Sequence, residues 1–139
     1  MKIIFVSDFF VDQVSGGAEI YDDILINLLT SDNIDVIKFQ SSELTDKHVK
    51  LYVSCGNHFI ISNFCHLNLN GTAGEQLMNR PGSYSILEHD HKYLRTRDPS
   101  IYDDFLAPPD VIFNRPFYAN AKNIFAQSKI HAETIAKNL

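Results

Sequence analysis

Residues 2–29 read KIIFVSDFFVDQVSGGAEIYDDILINLL, and they hold a strand, a loop and a helix in that order. Residues 2–7 form a short apolar run rich in β-branched side chains, the pattern of a strand covered on both faces. A polar turn, residues 8–15, leads to the glycine pair Gly16-Gly17. From Ala18 the apolar spacing changes to a helical period. Ala18, Tyr21, Ile24, Leu25, Leu28 and Leu29 share one face, which is expected to point inward. Asp22, Asp23 and Asn27 lie off that stripe, and Asp22-Asp23 reads as a pair of exposed charges. The switch of period across a glycine junction marks a βα unit. The start of its helix is a candidate anion site, because its first N–H groups lack helical partners and the macrodipole favours negative charge there.

Outward from this unit, strands and helical stretches alternate. Strands are expected at 35–40, 58–64, 83–88 and 123–127. Helices are expected after the cap offered by Ser41-Ser42-Glu43, around 73–78, across 114–121, and from Lys129 behind a Ser128 cap with Ile130, Thr134 and Ile135 inward. Residues 49–53 are compatible with strand as well as helix. Residues 92–111, carrying Pro99, Pro108 and Pro109, read as a surface excursion with some mobility. Alternation of this kind implies a parallel sheet with right-handed crossovers, a doubly wound α/β fold of about five mostly parallel strands.

Length and composition bound the function. The 139 residues fit one domain, and 45% hydrophobic with 21% charged residues is a globular composition. The net charge of −5 argues against a general nucleic-acid or anionic-membrane surface. No apolar run reaches membrane-spanning length, and Asp8 interrupts the first strand too early for a signal peptide. Cys55 and Cys65 show no CxxC or disulfide pattern, so reduced, partly buried thiols and a cytoplasmic location are expected. Asn70-Gly71-Thr72 fits a glycosylation sequon, read in that setting as a turn.

Ligands of open α/β sheets bind outside the carboxyl ends of the strands, near the switch in strand order. Four elements fall there: Ser7-Asp8, Gly16-Gly17, His89-Asp90-His91 and Ser128. Glycines let backbone approach a ligand closely. Neither GxGxxG nor GxxxxGK[ST] is present, so dinucleotide and P-loop readings lack their fingerprint. A histidine at a strand mouth can bond a ligand hydroxyl, move a proton or bind metal. Alternation along a strand puts His89 and His91 on one side and Asp90 on the other, and no further cluster has ligand spacing, so no metal is expected. Arg95 and Arg97 are within reach of a ligand phosphate, although solvated arginines are the simpler reading. No GxSxG or Cys–base pair supports nucleophilic catalysis.

The opening stretch with its GGAE resembles the start of GT-B glycosyltransferases, in particular the retaining family 4 group. Residues 86–90, ILEHD, are similar to that family's strand ending in His-Asp. Residues 123–128, NIFAQS, are similar to its later strand ending in Ser. The resemblance implies that residues 1–139 are a Rossmann-like N-terminal, acceptor-side domain facing a second domain that this sequence does not include. It implies a nucleotide-sugar donor as substrate, a sugar or glycan acceptor, and no cofactor or essential metal. Gly16 and Gly17 would then lie near the donor diphosphate and sugar, and His89 beside the sugar as the catalytic-site residue. Asp8, Asp90, Ser128 and Arg95 would be further cleft candidates, and any peripheral membrane association would run through the second domain. That domain carries a paired-glutamate motif and most of the diphosphate-stabilising cations in the family, so this chain alone is expected to be inactive or nearly so.

Two other readings compete. One is a non-catalytic α/β carbohydrate- or nucleotide-binding module, or a degenerate remnant of such an enzyme. The other is a flavodoxin- or receiver-like domain. A receiver needs an acidic pair after its first strand and a lysine after its fifth, whereas Asp8 stands alone and Ser128 holds the later position. A flavodoxin needs a Ser/Thr-rich phosphate loop directly after its first strand, which residues 8–15 do not supply.

Overall fold

The computed structural model describes residues 1–67 and 71–139; Asn70 of the sequon lies outside them. Five strands, β1 (Ile3–Ser7), β2 (Val36–Gln40), β3 (His58–Ile61), β4 (Tyr84–Glu88) and β5 (Ile124–Ala126), form one sheet in the order β2-β1-β3-β4-β5. Every pairing is parallel. The helices are α1 (Gly17–Ser31), α2 (Asp46–Ser54), α3 (Thr72–Met78), α4 (Arg115–Ala119) and α5 (Lys129–Asn138). The expected doubly wound α/β fold is therefore what the chain adopts, in a single Rossmann-like domain. Among the described residues no helix is long and apolar enough to cross a membrane.

Strand alternation sorts the side chains into two layers. Ile4 and Val6, Phe59 and Ile61, and Tyr84 and Ile86 face a large core closed by Val49 of α2, Leu77 of α3, Phe117 of α4 and Ile135 of α5. Phe5 and Leu87 belong to the opposite layer, packed against Leu25 and Ile26 of α1. One sheet face thus carries four helices and the other carries α1.

The facing of α1 differs from the expected stripe. Tyr21, Ile24 and Leu28 are exposed, whereas Asp22 is fully buried. The helix is apolar on two sides, and the polar partners available to Asp22 at the sheet edge fix its rotation. Other elements also differ from the expected pattern or resolve an alternative in it. The cap of α2 is Thr45, which accepts from the His48 N–H, and Ser41–Glu43 instead forms a short 3₁₀ turn. Residues 49–53 are helical. Ile130 is exposed on α5, whose buried residues are Thr134, Ile135 and Asn138. Residues 92–111 are tied down more firmly than expected. Tyr93, Leu94 and Ala107 are buried, and Asn138 both accepts from the Ala107 N–H (2.8 Å) and donates to the Phe105 carbonyl (2.8 Å).

Candidate functional site

The order β2-β1-β3-β4-β5 places the switch point between β1 and β3, where the chain leaves β1 toward β2 and later returns on the other side. Ser7 ends β1, and Ser62 follows β3 in the phase of Ile60. His89 follows β4 in the phase of Leu87. All three therefore aim at the α1 side, and Asp22 meets them. Its Oδ2 accepts from the Ser7 hydroxyl (3.1 Å) and its Oδ1 from the Ser62 hydroxyl (2.8 Å). His89 Nε2 lies 3.0 Å from that same Oδ1 and 2.9 Å from Ser62 Oγ. On the other side of the ring, Gln127 Nε2 lies 2.7 Å from His89 Nδ1. The edge of Tyr21 packs on the imidazole, with ring centroids 5.5 Å apart. The carboxylate, the two serine hydroxyls and the imidazole are all buried or nearly so, whereas Gln127 is exposed.

A second polar cluster lies behind His89, on the four-helix face. Glu88 is fully buried and accepts from Lys92 Nζ (3.0 Å) and from the Tyr118 hydroxyl. Lys92 also donates to Asp90 (2.7 Å) and sits over the Phe64 ring. Burial pushes the Glu88 carboxyl above its ordinary value, with Lys92 opposing. For Lys92 the desolvation is outweighed by Glu88 and Asp90, which raise its pKa. Burial also works against ionised Asp90, yet Lys92 holds it below the usual carboxylate value. His89 is thus flanked in sequence by two carboxylates gripped by one ammonium.

The expected site residues do not all join this network. His89 is its centre. Gly16 is the N-cap of α1 with φ −89°, so no left-handed conformation calls for glycine there, and no side chain caps the helix. A Cβ at Gly17 would meet nothing within 4 Å, and one at Gly16 would meet only the mobile end of Glu19. Neither glycine is demanded by packing against rigid neighbours, and the space beside Gly17 is open. Asp8 is buried and organises loops. It accepts from the backbone N–H of Cys65 (2.8 Å) and His66 (3.0 Å) and from the Ser41 hydroxyl. Ser128 spends its hydroxyl capping α5, accepting from the His131 N–H at 3.1 Å.

Asp90 pairs with Lys92 and, more loosely, with Arg97 (3.5 Å). Arg95 is exposed and forms no ion pair among the described residues. His91 does not share the surroundings of His89, because the strand ends at Glu88 and alternation stops there. It bonds the Tyr93 hydroxyl (2.8 Å) and packs on His131. Both cysteines are free and exposed rather than partly buried. Cys65 lies against Arg97, but the desolvation of its sulfur and the nearby Asp8 raise its thiol pKa, the opposite of what activates a cysteine nucleophile. Among the described residues no three His, Cys, Asp or Glu side chains are grouped to hold a metal. An apolar hollow of about 500 Å³, lined by Pro116, Tyr118, Ile124 and Leu139 among others, lies on the four-helix side, away from the His89 network.

Sequence reasoning missed Asp22, Ser62 and Gln127. The signal for Asp22 was present: Ala18, Asp22, Leu25, Ile26 and Leu29 form a second helical stripe holding one acid. No family model, curated protein or solved structure matches this chain.

Proposed function

We propose that this chain is the acceptor-side half of a nucleotide-sugar-dependent glycosyltransferase, with His89 as the side chain that bonds the donor sugar and Gly16-Gly17 beside its diphosphate. The observation that carries the reading is that the histidine is held at the β1/β3 switch point by Asp22 and Tyr21 in the second turn of α1, a helix whose start has no side-chain cap. Free N–H groups at a helix start suit a diphosphate, and open space at Gly17 lets it approach. A fixed imidazole suits a sugar hydroxyl. In this reading the leaving diphosphate is stabilised by backbone N–H groups here and by cations from a completing domain. The second reading, a non-catalytic carbohydrate- or nucleotide-binding module, is favoured by one observation. Lys92 is already neutralised by Glu88 and Asp90, and Arg97 leans on Asp90, so the basic groups nearest the site are engaged.

Calorimetric titration of UDP-, GDP- and ADP-sugars into the chain tests the proposal. One of them is expected to bind. Gly17→Val, filling the open space, and His89→Ala are each expected to weaken that binding at least tenfold. Binding that neither substitution changes removes the site assignment. Binding weakened by both, in a chain that gains no transferase activity when a completing domain is supplied, favours the second reading.

A further inference from the structure

The Asp22 carboxylate is the feature that the reading above leaves unused. It is fully buried and, among the described residues, pairs with no lysine or arginine, so it must be satisfied by hydrogen-bond donors. An ionised carboxylate only accepts. Its Oδ2 takes the Ser7 hydroxyl and its Oδ1 takes the Ser62 hydroxyl. His89 Nε2 lies 3.0 Å from Oδ1. An unprotonated Nε2 would set its lone pair against carboxylate lone pairs in a water-poor site, whereas an Nε2–H supplies a third donor. The choice of tautomer follows from that contrast. Ser62 fits the same assignment, because an oxygen whose proton points at Asp22 can still accept from Nε2–H at 2.9 Å. The far side of the ring agrees. With the proton on Nε2, Nδ1 carries a lone pair, and what faces it is the Gln127 amide nitrogen, a donor, at 2.7 Å. Tyr21 packs against the ring, with centroids 5.5 Å apart.

We infer that Asp22 is the positioning residue of this site: it holds His89 as the Nε2–H tautomer, so that the imidazole presents an acceptor nitrogen, Nδ1, at the mouth. Gln127, exposed at the end of β5, occupies that acceptor until a ligand hydroxyl displaces its amide. The site therefore selects a ligand by a hydroxyl that donates, and not by a carbonyl or an anionic oxygen at this position. That last step rests on the reading of His89 as the ligand-facing side chain. The tautomer itself does not, and it can be measured with no sugar nucleotide present.

The experiment is long-range proton–nitrogen correlation NMR on the chain labelled with ¹⁵N-histidine, near neutral pH, with the His89 signals identified by their loss in His89→Asn. The expected result is a His89 ring protonated on Nε2 with an unprotonated Nδ1. Ser62→Ala is expected to keep that pattern, since Asp22 remains as acceptor. Asp22→Asn, which can turn an N–H toward the ring, is expected to introduce an Nδ1–H population. The idea is overturned by Nδ1–H or a doubly protonated ring in the parent chain, by Ser62→Ala switching the tautomer, or by a folded Asp22→Asn whose pattern matches the parent. Should Asp22→Asn fail to fold, the parent and Ser62→Ala spectra decide the matter. A correct tautomer with no binding of UDP-, GDP- or ADP-sugars would refute the proposed function and leave the role of Asp22 standing.

Discussion

Replacing Lys92 with methionine isolates the charge that neutralises Glu88. Methionine keeps most of the aliphatic volume of the lysine stem, so packing over Phe64 survives while the ammonium is lost. Glu88 is then a fully buried carboxylate left with the Tyr118 hydroxyl and a long contact from the Asp90 N–H (3.4 Å). Removing one partner of a buried ion pair costs about 3–5 kcal/mol, because the other charge stays buried and uncompensated. The loss has a pH signature. Burial already raises the Glu88 pKa, and losing Lys92 raises it further. Over the pH range between the unfolded value of about 4.3 and the raised native one, native Glu88 binds protons that the unfolded chain releases. With more protons bound in the native state, the variant gains stability as pH falls, by at most about 1.4 kcal/mol per pH unit. Between about pH 7 and pH 5 the gap between variant and parent should close by up to roughly 2.7 kcal/mol. Urea unfolding at the two pH values, with m-values compared, measures it. A gap of the same size at both would refute the buried-charge argument.

Two further outcomes follow from other buried groups. His58 is half-buried beside Ser85 Oγ (2.9 Å), and burial, aided by Lys122, lowers its pKa. Its contribution to stability is complete above about pH 6.5 and is lost as pH falls toward the lowered native value. His91, lowered by burial and by His131, acts in the same sense. His58→Gln should flatten the acid side of a urea-midpoint profile, and an unchanged profile would assign the acid loss elsewhere. Asp8→Ala strips the acceptor from the Cys65 and His66 N–H groups and should cost about 2–3 kcal/mol. Hydrogen exchange at those two amides should quicken well before that at β1, and equal protection in both chains would deny Asp8 its loop role.

The sheet was legible because β1, β3 and β4 are short apolar runs with turn residues at their edges, and such runs have few other uses. The rotation of α1 was not. Tyr21, Ile24 and Leu28 are more apolar than Asp22, so a hydrophobicity argument turns the helix the wrong way. Only the donors of Ser7, Ser62 and His89 make a buried acid tolerable, and they lie far from it in sequence. His89 could be placed from its strand, but its partners could not. Asp8 was correctly put at a strand end, yet its carboxylate serves the backbone of residues 65 and 66, a use that no local pattern announces.

The separation between Asp22 and His89, 67 positions, also bears on when the site comes into being. The βα opening unit can form from neighbours in the chain, but the imidazole reaches the carboxylate only after β3 and β4 have added to β1. Contacts between residues so distant carry the loop-closure cost of every intervening segment and close late. A nascent or partly unravelled molecule lacking β4 would therefore keep a glycine-led helix start and have no histidine above it. The Asp22–His89 contact is in that sense a late one, present only once β1, β3 and β4 lie side by side.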